Sequence, residues 1–315
     1  MSKKETWRSP YRRKNRFYLR KNHKPESFLF GTIPSFFQSL WAKKQSVPAI
    51  QNWVVSQEPM QNSKKPIITW IGHASFLIQL GGLNIITDPV FGNASWLFPR
   101  YLPPGISIDH LPNIDVVLIS HNHRDHMDRA SLYALGKHKN TQFLVPYGDK
   151  RWFDRHRFDR VVEHGWWQTT KVVSNNGGNR IRFTFLPAAH WSQRGLFDKN
   201  RSLWGSWMVE SDDYTIYFAG DTAYDDHLLS IADTFSAIDV ALIPVGPCEP
   251  RSWMKHSHIG SEEAGQAFLD IGAQHFIPMH WGTFPFGVDH FTEPVDRLRA
   301  WWDEQRDQLH SKHLH

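Results

Sequence analysis

The segment VVLISHNHRDHMD covers residues 116–128 and joins an apolar run directly to three histidines and an aspartate. The β-branched run predicts a buried strand, and the polar residues after it predict a loop at the end of that strand. His121, His123, Asp125 and His126 fall within six residues, so a short loop can aim them at one point. Neutral imidazoles and carboxylates are ligands that zinc and related divalent ions prefer. We therefore interpret this segment as part of a metal site.

An apolar run followed by a polar residue recurs three more times along the chain. FLPAA precedes His190, IYFAG precedes Asp221, and FIPM precedes His280. Sites in α/β sheets gather where strands end, so we expect these side chains to join the first cluster. The complete set of five imidazoles and two carboxylates is too large for one tetrahedral zinc ion. We predict two ions, with the ligands divided as follows: His121, His123 and His190 on one, Asp125, His126 and His280 on the other, and Asp221 bridging both.

Short apolar runs bounded by Gly, Pro, Asn and Asp continue from residue 66 onward, and each predicts a strand. They are 67–71, 76–80, 83–87, 116–120, 142–146, 181–187, 215–220, 240–246 and 275–280. The spacing of apolar residues predicts a helix over 261–271, and another is expected to begin near Asp128. The mixture predicts one α/β domain over 66–310, in which helices cover two sheets. The last seven residues, LHSKHLH, are expected to form a frayed tail.

The N-terminal part of the chain has a different composition. Residues 1–24 contain ten Lys or Arg and one acid, so the net charge of +5 belongs to this arm and the remaining chain is net acidic. We predict a poorly ordered basic arm over 1–27, followed by an apolar segment and linker over 28–65. Residues 28–41, rich in Phe, Leu and Trp, fit either a helix packed on the body or an interfacial helix on a membrane.

Composition also narrows the classes of function. No stripe of Lys and Arg continues into the body, which argues against nucleic acid as the substrate. The chain has one cysteine, Cys248, which fits a reducing compartment. No apolar run approaches the ~20 residues of a transmembrane helix, and the N-terminus lacks the apolar core of a signal peptide. We expect a cytoplasmic protein that can sit peripherally on the inner face of a membrane, and the sequence leaves open whether it forms a homodimer.

The order HxHxDH, distant His, GDT, distant His resembles the pattern of the metallo-β-lactamase superfamily. More closely, the chain resembles the phospholipase D family that hydrolyses N-acylphosphatidylethanolamine, through TWIGHASFLIQL (69–80), TDPVF (87–91), LWGSW (203–207), IPVGPCEPRSWMK (243–255) and HWGTF (280–284). The resemblance spans residues 66–290. It implies an αββα sandwich, in which helices flank two mixed sheets, and two divalent metal ions. It also implies that a hydroxide bridging the ions attacks phosphorus and releases N-acylethanolamine and phosphatidic acid.

Two residues outside the ligand set are expected to support it. Asp88, in TDP after a predicted strand, is placed to hydrogen-bond a ligand histidine and fix its tautomer, although a turn aspartate before proline looks the same in sequence. His73, in GHAS, fits the same supporting role or that of a histidine in the core. Among the ligands, we assign catalytic roles to Asp125 and Asp221. Asp125 is expected to steer the attacking water or move its proton.

Four further residues are candidates for substrate binding. His258 matches a position near the substrate in the family that the chain resembles. Arg194 follows His190 closely and fits either neutralisation of a phosphate or a surface salt bridge. Trp191 and Trp281 each adjoin a ligand, where they could line the pocket or hold the ligand loops in place.

Three kinds of function fit these residues. The first is a phosphodiesterase of phospholipase D type that acts on a phospholipid and meets the membrane through residues 28–41 and the basic arm. The alternative keeps the metals but opens lactones or hydrolyses another small substrate. The third is a metal-stabilised binding protein without turnover, and an open metal position argues against it. The donor set suits zinc, with manganese and iron as alternatives.

Overall fold

The computed structural model describes residues 7–19, 59, 65–174 and 179–315. The apolar segment predicted over 28–41 lies outside these residues. The strands, numbered β1 to β15 in chain order, are Tyr11–Arg13, Arg16–Tyr18, Ile67–Gly72, Ser75–Leu80, Leu83–Thr87, Val116–Leu118, Gln142–Pro146, Val161–His164, Thr169–Val173, Arg180–Leu186, Ser206–Glu210, Thr215–Phe218, Val240–Pro244, His275–Met279 and His313–Leu314. The helices are Arg129–Leu135, Lys150–Arg155, His227–Ala232, Arg251–Met254, Ser261–Asp270, Glu293–Glu304 and Arg306–Leu309. Within the described residues, no helix has the length and hydropathy needed to cross a bilayer.

The strands form two mixed sheets beside the short β1–β2 hairpin. The first sheet has the order β3-β4-β5-β6-β7-β8 and the second β15-β14-β13-β12-β11-β10-β9. In each sheet antiparallel neighbours give way to parallel ones, in the first sheet from β5 onward and in the second from β12 onward. Parallel neighbours need long crossover connections, and the loops that carry the HxHxDH motif, Asp221 and His280 lie in such connections. His190 lies instead in the connection between the antiparallel strands β10 and β11. All nine predicted strands are present, each beginning within one residue of its predicted start.

The two sheets pack face to face because alternate residues of each strand point into a shared core. Phe76 of β4 and Phe183 of β10 lie in that core, whereas Leu77 lies on the outer face with Leu132 of the helix Arg129–Leu135. On the outer face of the second sheet, the ring of Phe276 stacks on that of Phe268, from the helix Ser261–Asp270, at 5.1 Å. The layers therefore run helix, sheet, sheet, helix, and the predicted αββα sandwich is confirmed.

Residues 7–19 differ from the poorly ordered arm that their composition predicts. They contain the antiparallel β1–β2 hairpin, and Trp7 and Phe17 are 1% and 6% exposed. The ring of Trp7 lies 5.8 Å from that of Trp166, and Trp167 Nε1 donates to the Trp7 carbonyl at 2.8 Å. Two aromatic side chains therefore anchor this basic segment to the body, a contact that net charge does not reveal.

The C-terminus also differs from its prediction. His313–Leu314 forms β15, which extends the second sheet beside β14 instead of fraying. The His313 amide donates to the Gln274 carbonyl at 3.0 Å, and the His315 amide donates to the Phe276 carbonyl at 2.9 Å. The edge of β14 offers these acceptors, so the sheet continues past residue 310.

Candidate metal centre

The seven predicted ligands and His73 converge at one end of the sandwich. They fall into two groups, and within each group the ligand atoms lie within 4.8 Å of one another. The first group is His121, His123, His190 and Asp221, and the second is His73, Asp125, His126 and His280. The grouping matches the division predicted from the sequence except for His73. The sequence predicts a supporting position outside the ligand set for His73, whereas its ring nitrogen lies among the ligand atoms of the second group.

Asp221 lies between the two groups. Its Oδ2 is 3.7 Å from His190 Nε2 in the first group and 3.3 Å from His126 Nε2 in the second. Its Oδ1 is 3.2 Å from His280 Nε2. One carboxylate therefore faces histidines of both groups, as the predicted bridging position requires.

Close packing of two loops brings Asp221 to the HxHxDH segment. Gly220 precedes Asp221 with φ of 57°, and a Cβ built on it would lie 2.5 Å from the Ser120 Cβ. Any larger residue would push the GDT turn away from the loop after β6. Within that loop, the Met127 amide donates to the His123 carbonyl at 2.9 Å, which folds the motif into a tight turn.

Three residues in or beside the second group have left-handed backbone conformations. His73, Asp88 and His280 have φ of 56°, 32° and 63°. Residues other than glycine rarely adopt such angles, which cluster at functional sites. The His280 amide donates to the His73 carbonyl at 3.1 Å, so the two strained turns hold each other. Their rings are 3.9 Å apart at the centroids.

Asp88 fixes the orientation of His126. The carboxylate is fully buried, accepts from the Ser120 amide at 2.7 Å and the Ser120 hydroxyl at 2.5 Å, and contacts His126 Nδ1 at 2.8 Å. This contact is the support predicted for Asp88, and it turns His126 Nε2 toward Asp221. Burial raises the pKa of Asp88, while the bonds with His126 and Ser120 oppose that rise.

Ser120 and Ser257 hold two histidines of the first group. His121 Nδ1 lies 2.9 Å from the Ser120 hydroxyl, and His190 Nδ1 donates to the Ser257 carbonyl at 2.8 Å. Each contact leaves Nε2 facing the cluster. The sequence gives no signal for the contact with Ser257, because a backbone carbonyl can belong to any residue.

The cluster contains buried polar atoms that fit a cation. Among the described residues, the buried atoms without a hydrogen-bond partner include His123 Nε2, His126 Nε2, Asp221 Oδ1, His258 Nδ1 and both ring nitrogens of His280. Unpaired polar atoms are costly in a protein interior, and their convergence here matches a site for divalent metal ions. Imidazoles with carboxylates form a donor set typical of such sites.

The pKa values of two histidines of the first group also suit metal binding. Burial and neighbouring histidines hold the pKa of His121 well below its usual value, and burial lowers that of His123 to about 4. These rings are neutral near pH 7, the form that binds metals. Burial opposes ionisation of Asp125 and Asp221, but the neighbouring histidines together outweigh it and lower the pKa of both carboxyls well below the usual range.

His258 faces both groups from the solvent side. Its Nδ1 is 3.8 Å from Asp221 Oδ2, and its ring lies 5.2 Å from that of His190 and 5.6 Å from that of His280. Its side chain remains 18% exposed, more than those of Asp221 and His280. This placement is compatible with the substrate-facing position predicted for it.

Arg194 lies behind the HxHxDH loop. Its Nη1 donates to the Met127 carbonyl at 2.6 Å and the Asn122 carbonyl at 3.4 Å, and its guanidinium carbon lies 4.7 Å from the centre of the Trp152 ring. These contacts differ from both roles weighed from the sequence, a phosphate ligand and a surface salt bridge. Instead they brace the loop that carries His121 and His123.

The two candidate tryptophans have different surroundings. The Trp191 ring is 4.2 Å from that of His123, at the first group. Trp281 stacks on Trp70 at 5.2 Å and donates from Nε1 to the Pro278 carbonyl at 3.2 Å. Trp281 therefore holds the turn around His280 in place.

Comparison with known proteins places this geometry in a family. Residues 83–281 match the family described as a beta-lactamase superfamily domain. N-acyl-phosphatidylethanolamine-hydrolyzing phospholipase D 1 of Caenorhabditis elegans is 35% identical over 252 residues, which cover 76% of this chain and 70% of that protein. The mitochondrial N-acyl-phosphatidylethanolamine-hydrolyzing phospholipase D of Saccharomyces cerevisiae is 34% identical over 269 residues, covering 82% of this chain but only 57% of the yeast protein. The solved structure of Igni18, a metallo hydrolase of Ignicoccus hospitalis, shares the fold with a TM-score of 0.58 at 20% identity, covering 79% of this chain and 93% of that one.

Proposed function

Since the chain belongs to the metallo-β-lactamase superfamily and is a metal-dependent hydrolase related to the phospholipases D above, we propose that it is a dinuclear phosphodiesterase. Its proposed substrate is N-acylphosphatidylethanolamine, and its products are N-acylethanolamine and phosphatidic acid. The position of Asp221 between the two histidine groups carries the dinuclear part of this proposal. The similarity to the Caenorhabditis elegans and yeast proteins supports the substrate.

One ion would be held by His121, His123 and His190, and the other by Asp125, His126 and His280, with Asp221 shared. His73 lies close enough to act as a further ligand or to hold Asp125. We propose zinc, because imidazole and carboxylate together suit it. Bound divalent ions would supply Lewis acidity that lowers the pKa of a water and neutralises the phosphodiester oxygens.

The residues of the chain position the reactants. The Asp125 Oδ2 lies 3.1 Å from His73 Nε2, which fixes the orientation of the carboxylate. Asp125 stays ionised because His126 and His73 together outweigh the effect of burial on its pKa, so it can accept a hydrogen from the attacking water and aim the oxygen at phosphorus. The His258 Nδ1 has no hydrogen-bond partner among the described residues and is placed to bind the phosphate or the amide of the substrate. Hydrolysis breaks the bond between phosphorus and the ethanolamine oxygen, and that oxygen leaves with a proton.

The test is release of N-acylethanolamine from vesicles that contain N-acylphosphatidylethanolamine. We expect His123→Ala and Asp221→Asn to lower the rate by about a thousandfold or more, since metal-ion catalysis supplies several kcal/mol. His313→Ala, a histidine on β15 away from the cluster, serves as the matched control and should retain activity.

Chelation should abolish release from the intact protein, and zinc should restore it. A metal-loaded protein that leaves this lipid intact but opens lactones, in a reaction lost in both variants, would overturn the substrate and favour the small-substrate alternative. Turnover unaffected by Asp221→Asn would overturn the dinuclear site.

A further inference from the structure

The loop over residues 193–201 begins beside the candidate metal centre and presents two apolar side chains to solvent. Leu196 and Phe197 are 86% and 80% exposed. The loop follows Trp191, whose ring contacts that of His123. Exposed apolar side chains that stand together mark interaction sites more often than isolated ones do.

The backbone of this loop is fixed by its own hydrogen bonds. Asp198 Oδ1 accepts from the Arg194 amide at 3.2 Å and the Gly195 amide at 2.8 Å, and the Asn200 amide donates to the Ser192 carbonyl at 2.7 Å. These bonds close the loop behind Leu196 and Phe197. The two apolar side chains therefore project from an ordered base.

The β1–β2 hairpin is attached to the same loop. The Arg16 guanidinium donates to the Lys199 carbonyl and, at 3.2 Å, to the Phe197 carbonyl. The Phe17 amide donates to the Asn200 carbonyl at 2.8 Å. The hairpin is thereby held against the base of the loop that carries Leu196 and Phe197.

The hairpin brings positive charge to this position. Residues 7–19 contain five Lys or Arg and no acid. Four of the five are exposed, namely Arg8, Arg12, Arg13 and Lys14. A fixed apolar tip beside a basic segment combines the two features that attract proteins to anionic lipid surfaces, apolar insertion and attraction to phosphate.

A third exposed apolar side chain lies on the other side of the candidate metal centre. Trp96 is 87% exposed in the loop that contains Phe98. The Phe98 ring contacts Phe286 at 4.9 Å, and Phe286 contacts His73 of the second group at 5.6 Å. Exposed apolar side chains thus occur in loops attached to both histidine groups.

We propose that residues 7–19 and the loop 193–201 form a docking surface for an anionic phospholipid bilayer. Leu196 and Phe197 enter the boundary between headgroups and acyl chains, while Arg13 and Lys14 contact lipid phosphates. The contact would place the candidate metal centre at the membrane surface, where a phosphodiester headgroup can reach it. The proposal takes its choice of partner from the proposed function, but binding to vesicles requires no turnover.

The experiment measures co-sedimentation of the full chain with vesicles of phosphatidylcholine, with and without phosphatidylserine. We expect binding to the acidic vesicles, weakened about tenfold or more in Leu196→Ser/Phe197→Ser and about tenfold in Arg13→Ala/Lys14→Ala. Raised salt should remove the effect of the charges and leave that of the apolar pair. Arg12 is left intact because its guanidinium lies 5.5 Å from the Phe17 ring and supports the hairpin.

Matched controls come from β9 and β10, at the end of these strands opposite the candidate metal centre. Val173, 50% exposed, pairs with Arg180, whereas β10 leaves the sheet toward His190 after Leu186. Val173→Ser and Lys171→Ala/Arg180→Ala should bind as the unmodified chain does.

Two results overturn the docking surface: vesicle binding unchanged in both double variants, or no binding to acidic vesicles by the unmodified chain. The first would assign membrane contact to another segment, and the second would favour a protein partner. Hydrolysis of N-acylphosphatidylethanolamine in detergent micelles separates the two proposals. A chain that binds vesicles but leaves that lipid intact overturns the substrate and leaves the docking surface standing.

Discussion

The two histidine groups of the candidate metal centre are held in place by different means. In the first group, His121 and His190 are oriented by single contacts with Ser120 and Ser257. In the second group, His73 and His280 have positive φ and face each other across a shared hydrogen bond. Such backbone conformations cost about 1–3 kcal/mol each in residues other than glycine. The backbone of the second group is therefore strained, and the surrounding hydrogen bonds must offset the cost. The first group depends instead on contacts to the side of its loop that faces away from the ligands.

The largest expected effect follows from weakening the contact by which Asp88 orients His126 of the second group. In Asp88→Asn, the amide side chain cannot accept all the hydrogen bonds that the carboxylate accepts from Ser120 and His126. We expect hydrolysis to fall by up to about a hundredfold, as for other groups that orient metal ligands. Metal content, measured per chain, should fall with it.

Asp239→Asn is the control for this change, because the Asp239 carboxylate also accepts from a backbone amide, that of Thr215, at 2.7 Å, but outside the two groups. Equal losses of activity in the two variants would contradict a specific role for Asp88.

The loop that carries His121 and His123 of the first group is supported by Asp149, whose protonation changes with pH. Asp149 Oδ1 accepts from Asn122 Nδ2 at 2.9 Å, behind the HxHxDH loop, and burial raises the pKa of this carboxyl to about 7. The folded protein binds this proton more tightly than the unfolded chain. The contribution to stability is therefore complete below about pH 4, the usual pKa of Asp, and is lost as the pH rises to about 7.

We expect Asp149→Asn to flatten this part of the stability curve. Between pH 4 and pH 8, the difference in the free energy of unfolding between the two proteins, measured with urea, should change by about 4 kcal/mol and then stay constant at higher pH. A difference that is constant from pH 4 upward would show that Asp149 titrates normally.

The smallest expected effect is on stability and comes from the backbone strain at His280. Glycine adopts positive φ without cost, so His280→Gly should relieve strain that His190→Gly cannot. In metal-free protein, we expect His280→Gly to be more stable than His190→Gly by about 1 kcal/mol, measured by urea unfolding. Both variants should lose activity. Equal stability would show that the backbone at His280 stores no strain, and the contrast between the two groups would then disappear.

The sequence predicts which candidate ligands come together better than it predicts the contacts that support them. The HxHxDH segment places four candidates within six residues, and His190, Asp221 and His280 each follow a strand, so local pattern was enough to find them. The contact of Asp88 with His126 was also expected. His73 was placed behind the ligands, because nothing local shows that its turn and that of His280 would meet.

Contacts between distant segments account for the remaining errors. Arg194 binds carbonyls of a loop about 70 residues earlier, and a carbonyl carries no side-chain signature in the sequence. Charge dominates the composition of residues 1–27 and predicts a poorly ordered arm, whereas residues 7–19 contain a hairpin. Only the positions of Trp166 and Asn200 in the folded body reveal what Trp7 and Phe17 contact.

The attachment of the hairpin has a consequence for how the chain is made. Trp7 packs against Trp166 and His227, and Arg16 binds a carbonyl 183 residues further along the chain. Residues 7–19 are translated well before Trp166, Asn200 and His227, so these contacts cannot form until the later residues have been synthesised. Contacts between residues far apart in the sequence form more slowly than local turns do. We therefore expect residues 7–19 to dock late, and during translation their arginines remain exposed to any polyanion or chaperone nearby.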